Sequence, residues 1–463
     1  MNESTNNPIS ESSASRTRWL IILGIIIFAL IMFRQLLIPG YCLFSTDDNI
    51  GQIKLSKDVL PGVFMGSLFD SVLLGSGGVM PVTWNALLIW LTPIVLYINW
   101  VHAFDLALAS WFLLLFLRER KVGFAAIMVG FLTAFWLGSN LTLTYPGHLG
   151  KYGVLLMASV SLYCISRALS QRPSLLWSIL AGGAIGFMFL EQLDVALFFG
   201  IILGAYALFL AIRQGLANGI QPSQPRALLR RSRPWAKSVV ALILMGGVGL
   251  LLAASTMLGG YTSYVKGAVS MQTESPQEKW AYVTQWSWPP DECIDFIAPG
   301  YMGWRSGEPA GPYWGRMGRS AGWEQTRQGF MNFKLENMYL GIIPILLALF
   351  SILAVVMGGK ANAECRMQNA ELTESGGSTW SRGWTTEDSE RRAEIIFWGC
   401  VAGITLLLAF GKFFPLYALF YKLPLVNSIR NPNKFLQVFQ LALGILAAYG
   451  LDEMLRKTLR GKR

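Results

Sequence analysis

Two adjacent carboxylates, Asp47 and Asp48, sit in the stretch Phe44-Ser45-Thr46-Asp47-Asp48-Asn49-Ile50-Gly51, just beyond a hydrophobic run over 19–38. In a chain that is 53% hydrophobic, two anions at the mouth of the first apolar run point to water, a cation or a substrate meeting them there. The alternative is a helix cap, with either carboxylate accepting backbone N–H bonds at the start of an interfacial helix. A second group is Tyr145-Pro146-Gly147-His148-Leu149-Gly150-Lys151-Tyr152, which holds one of only two histidines. Gly147 and Gly150 permit a tight turn at the head of a helix, and His148 and Lys151, three apart, can share one helical face. An imidazole and an ammonium beside a helix N-terminus suit a phosphate, whereas a snorkelling lysine and a turn-satisfying histidine need no ligand.

Glu191 and Asp194 lie between two apolar runs so close that they form a hairpin, with both carboxylates at its rim. They are solvated there, or help hold a cation or a hydroxylated substrate. Arg430 in Ser428-Ile429-Arg430-Asn431-Pro432-Asn433-Lys434 offers a planar fork suited to phosphate oxygens, and Lys434 follows four residues on. Between them come Trp286-Ser287-Trp288-Pro289-Pro290-Asp291-Glu292 and Gly311-Pro312-Tyr313-Trp314-Gly315. The rings of Trp288, Tyr313 and Trp314 beside carboxylates are what a carbohydrate-binding surface uses, and equally what a membrane-interface belt uses.

Composition decides what elements carry these groups. A mean hydropathy of +0.44, 17 Trp, 27 Phe and 14% charged residues exclude an ordinary soluble surface and imply an all-α polytopic membrane protein. Five cysteines without CxxC spacing suggest neither a zinc site nor a disulfide framework. The net charge of +11 comes from basic residues beside apolar runs, where membrane orientation and anionic lipid explain them, so no nucleic-acid partner is expected.

Windows of about 20 apolar residues predict ten spans: 19–38, 101–117, 122–139, 152–168, 174–190, 194–213, 237–256, 337–357, 394–411 and 435–454. The apolar segment 82–98 is read as a re-entrant or interfacial helix, because a full crossing would invert every later basic loop. The basic residues at 16–18, 118–121, 167–172, 213–237 and 456–463 then all fall on the cytoplasmic side, with both termini. The expected organisation is a cytoplasmic tail (1–18), an N-terminal transmembrane module (19–213), a basic linker (214–236) and a C-terminal transmembrane part (237–463). That last part includes a mostly irregular outer loop (257–336) and a polar, poorly ordered cytoplasmic loop (359–393). All the candidate groups come to one extracytoplasmic face. The ionisable residues gather at one face, Asp105 falling inside a span rather than at its end, and His102 reads as an interface residue.

In this order, the double Asp after the first span, Gly-His in mid-chain, Trp-Ser-Trp-Pro-Pro, Pro-Tyr-Trp-Gly, Tyr339-Leu340-Gly341-Ile342-Ile343-Pro344, Ile429-Arg430-Asn431-Pro432 and Ala447-Ala448-Tyr449-Gly450-Leu451-Asp452 resemble the bacterial YfhO-like membrane protein family. That family is similar to the GT-C glycosyltransferases, and the resemblance runs over nearly all the chain beyond residue 19. It implies a bacterial inner-membrane enzyme with a polyprenyl-phosphate-linked sugar as donor and an envelope glycan or lipid as extracytoplasmic acceptor. Under that resemblance Asp47 or Asp48 would serve as general base or hold a divalent cation, Mg or Mn. His148, Lys151, Arg430 and Lys434 would stabilise the departing lipid phosphate, and 82–98 would line a groove for membrane lipid. A transporter or lipid flippase, or a non-catalytic component of envelope polysaccharide assembly, is the alternative.

Overall fold

The computed structural model describes residues 8–43, 48–65, 67–69, 76–78, 81–142, 147–170, 174–217, 227–260, 275–303, 313–318, 338–357, 386–423 and 426–460. Asp47, residues 304–312 and most of the loop expected over 359–393 therefore lie outside the described residues.

In chain order the helices are α1 (Pro8–Met32), α2 (Ile50–Asp58), α3 (Trp84–Leu91), α4 (Ile94–Glu119), α5 (Phe124–Phe135), α6 (Ser139–Thr142), α7 (Leu149–Ala168), α8 (Leu175–Glu191) and α9 (Leu193–Ala217). They continue as α10 (Ala227–Gly260), α11 (Pro276–Val283), α12 (Ile342–Met357), α13 (Thr386–Ala409), α14 (Pro415–Tyr421) and α15 (Phe435–Arg460). Six of them, α4, α7, α9, α10, α13 and α15, are long and apolar enough to cross a membrane. Shorter apolar helices are α5, α8, α12 and the stretch Ile22–Met32 of α1. The chain is a helical membrane protein, as its composition requires: in lipid every backbone polar group needs a partner within the chain, and a helix supplies it locally.

The observed helix boundaries refine the segments expected from the sequence. The apolar segment 82–98 is two helices, broken at Thr92-Pro93: α3 ends there and α4 starts at Ile94, seven residues before the expected 101. Pro93 lacks the N–H that would continue α3 and sits at the N-cap of α4, a position that tolerates its fixed φ. Eight residues rise only about 12 Å, well short of a bilayer core of about 30 Å. The tail 1–18 is helical from Pro8, the basic linker 214–236 is helical up to Ala217 and again from Ala227, and the loop 359–393 is helical from Thr386. The outer loop 257–336 contains α11 and a 3-10 turn over Pro290–Phe296. A hairpin of two three-residue strands, Ser67–Phe69 and Ser76–Gly78, is an exception to the all-α expectation.

Small residues set the closest helix contacts. Gly130 and Ala134 of α5 meet Gly444 and Ala448 of α15: a Cβ on Gly444 would lie 2.6 Å from the Gly130 carbonyl. Gly182 and Gly186 of α8 admit α10 in the same way, a Cβ on Gly182 falling 2.6 Å from the Met245 carbonyl. Lipid tails are as apolar as leucine, so close backbone packing rather than exclusion of water drives such pairs.

Charged side chains gather at the two ends of this bundle. At one end Arg167 of α7 meets Glu119 of α4 at 2.7 Å, Arg120 meets Glu394 of α13 at 3.1 Å, and Asp452 of α15 binds Arg391, Arg456 and the Gly123 N–H. The opposite ends of α7, α9 and α15 form the candidate site.

Candidate functional site

The site assembles on the first turn of α7. Gly147, at φ +84°, turns the chain so that His148 occupies the N-cap of α7, yet His148 makes no side-chain cap bond. Asp48 supplies it from a hundred residues away, its Oδ2 accepting the Leu149 N–H at 3.1 Å. Asp48 thus caps a helix, but not the interfacial helix expected: α2 is capped by Asn49, which accepts the Gln52 N–H at 3.1 Å. The segment before the pair is pinned too, because Asn99 of α4 donates to the Tyr41 carbonyl and accepts from the Leu43 N–H.

Lys151, one turn into α7, is only 3% exposed, so it does not snorkel to the surface. Lys434, 8% exposed at the head of α15, forms an ion pair with Asp194 at the head of α9. The charges converge on His148: burial first, then Lys151 and Lys434, pull its imidazole down to about 3, with Asp194 opposing them. The ring is consequently neutral at physiological pH. Four separate chain segments, at 48, 148–151, 194 and 434, are thereby brought to one helix N-terminus, with two buried ammonium groups beside it.

Glu191 does not stand solvated on the rim. Its Oε1 accepts the Asn85 backbone N–H at 3.1 Å and its Oε2 the Asn85 side-chain amide at 2.5 Å, which places the carboxylate on the N-terminus of α3. Gly153 of α7 lets it in, since a Cβ there would lie 2.7 Å from Oε2. At the other end of α3, the Lys57 ammonium donates to the carbonyls of Ile89, Trp90 and Thr92. An anion at the start and a cation at the end complement the helix dipole and its unpaired backbone groups, which is how so short a helix is held.

The remaining candidates lie elsewhere. Arg430 stacks its guanidinium on the Tyr282 ring at 4.2 Å and donates to Gln285 Oε1 at 3.0 Å, both on or just after α11. Trp288 is wholly buried and stacks on Phe296, leaving no face for a ligand. Tyr313 is buried as well, its hydroxyl donating to Glu292 Oε1 at 2.7 Å. Trp314, 55% exposed and packed on Tyr301, keeps a surface position.

Among the described residues no group of three His, Cys, Asp or Glu side chains is placed to hold a metal ion. Asp48 Oδ2 accepts the Leu149 N–H, while Asp47, the other residue expected to hold a divalent cation, lies outside the described residues.

Sequence reasoning missed the interior of the site. His102 is no interface residue: it is buried, its ring edge-on to Tyr152 at 4.7 Å. Asp105, one turn on, accepts from the Trp84 indole at 2.8 Å, and Tyr97 donates to Asn85 at 3.0 Å. The spacing of Tyr97, His102 and Asp105 on one apolar helix was the available signal. Compared with family models, curated proteins and solved structures, the chain gives no match.

Proposed function

We propose that this chain is a membrane glycosyltransferase of GT-C-like architecture, moving a sugar from a polyprenyl-phosphate-linked donor to an envelope glycan or lipid acceptor. The observation that carries this is at the N-terminus of α7, where Asp48 accepts the Leu149 N–H and two buried ammonium groups, Lys151 and Lys434, act on the adjacent His148. Displacement at an anomeric carbon needs a base for the acceptor hydroxyl and a cationic clamp for the departing phosphate. Asp48, or its neighbour Asp47, takes the first role. Lys151, Lys434 and the α7 amides take the second, with neutral His148 donating a hydrogen bond. Glu191 and Asp194 position α3 and Lys434 respectively.

The basic ends of α4, α7, α9, α13 and α15 lie at the opposite end of the bundle, which supports cytoplasmic termini and an extracytoplasmic site in a bacterial inner membrane. A ten-span count accommodates the six long and four shorter apolar helices among the described residues in alternating directions. The test is transfer from a synthetic polyprenyl-phosphate sugar by the full chain in liposomes. Transfer abolished by Asp48→Asn is the expected result; full transfer in that variant overturns the assignment.

A transporter is the second function the structure favours, on one observation: His102 and Asp105 are buried inside a candidate span, where ionisable residues usually mark a path. Flux of a lipid-linked sugar across the same liposomes without chemical transfer would select it.

A further inference from the structure

Beneath α3, close to the middle of α4, two ionisable side chains are held inside the bundle with polar atoms unmatched. Asp105 is 0% exposed and His102 2%. Asp105 Oδ1 accepts from the Trp84 indole, while among the described residues Oδ2 has no hydrogen-bond partner and neither ring nitrogen of His102 has one. The two residues are three apart on one helix, so their Cβ atoms are about 5–6 Å apart on a shared face.

The titratable groups turned toward this region from the surrounding elements are Glu191 of α8, Tyr97 of α4 itself, Tyr152 of α7 and Asp48. None is a cation. Lys151 acts on His148 and Asp194 instead, and among the described residues no basic side chain pairs with Asp105. An unpaired carboxylate in a low-dielectric interior is costly enough that it takes up a proton or a metal ion instead. The metal alternative lacks ligands, because Glu191 already spends both oxygens on Asn85.

We propose that Asp105 and His102 form an intramembrane proton-binding pair. The proton sits on Asp105 Oδ2 as a neutral carboxylic acid and exchanges with a ring nitrogen of His102. In that exchange the Oδ2–H bond breaks and an N–H bond forms, leaving a carboxylate hydrogen-bonded to Trp84 and an imidazolium. Because Trp84 and Asn85 open α3, and rest on Asp105 and Glu191 respectively, the charge on Asp105 bears directly on how α3 is docked. The pair is independent of glycosyl transfer and would serve a transferase or a transporter alike.

Infrared spectroscopy of the full chain in lipid nanodiscs tests it. Expected at neutral pH is a deuterium-sensitive band of a protonated carboxyl that is lost in Asp105→Asn and kept in Glu191→Gln. His102→Gln should keep the band and slow its loss after an upward pH jump by about 10²-fold, the lower end of what a positioned acid–base group contributes. Should Asp105→Asn fail to fold, carbon-13 placed in the aspartate carboxyls of the unmutated protein puts the same question, and the band must shift. A spectrum with no band sensitive to Asp105 or to the label overturns the proton site. Unaltered kinetics in His102→Gln overturn the pair.

Discussion

Asp48 carries a structural contact at the position where the proposed function needs a base. Its Oδ2 caps α7 by accepting the Leu149 N–H, and the proposed function also makes it the general base. Asparagine is as good a cap as aspartate but has no basicity, so Asp48→Asn should leave thermal unfolding within about 1 kcal/mol of wild type while lowering transfer about 10²–10⁴-fold. The Asp194–Lys434 pair responds differently. Asp194→Ala leaves the Lys434 ammonium without its carboxylate partner in a mostly buried position, and losing one partner of such a pair costs about 3–5 kcal/mol where burial is complete and less here, because Asp194 is partly exposed. A lowered unfolding midpoint in detergent, partly restored by the double variant Asp194→Ala with Lys434→Met, is the expected outcome. His148 sets a pH dependence. Its folded pKa of about 3 lies below the ordinary value of about 6.5, so between these values the unfolded chain binds a proton that the folded chain does not. Stability contributed by the neutral ring is therefore complete above about pH 6.5 and declines as pH falls toward 3. Unfolding midpoints measured across that range should show a shallower acid decline in His148→Gln.

Among the elements, α3 is the one whose existence depends most on its neighbours. Eight residues make too short a helix to stand alone in water, and here Thr83 caps the start, Glu191 receives the next amides and Lys57 closes the carbonyl end. Lys57→Met should speed amide hydrogen exchange over 84–91 and leave α15 protected, because α15 is almost wholly buried and does not rest on Lys57. The crossing of α5 and α15 gives a contrasting prediction. Gly444→Leu forces a side chain into the Gly130 carbonyl and Ala134, and overpacking of this kind costs about 1–3 kcal/mol or more. Gly183→Leu, at a helix position with nothing within 4 Å of its Cβ, should leave the unfolding midpoint nearly unchanged.

At the scale of the whole molecule the two ends of the bundle differ in kind. One end carries arginines paired with glutamates and aspartates between helix termini, which ties α4, α7, α9, α13 and α15 together. The other end carries the anion-suited cluster. If the arginine end faces the cytoplasm, a cysteine placed at exposed Arg118 in a cysteine-free background should react with a membrane-impermeant maleimide only after the cells are opened. Labelling of intact cells at that position would invert the orientation and place Asp48 inside.

The helices were legible from composition and run length, because a lipid solvent leaves the backbone few options and marks each apolar stretch plainly. Turn chemistry was legible too: Gly147 before His148 announced a helix head. The break at Thr92-Pro93 was written in the proline, but hydropathy windows average over it. What only tertiary structure decided was partnership. That Asp48 reaches Leu149, Lys434 reaches Asp194, and Glu191 reaches Asn85 depends on packing across separations of 101, 240 and 106 residues. Periodicity along one helix carries no record of such distances. The aromatic residues show the same limit. Trp288 and Trp314 look alike in sequence, yet one fills the core and the other faces out, because burial is a property of what surrounds a side chain rather than of the side chain itself.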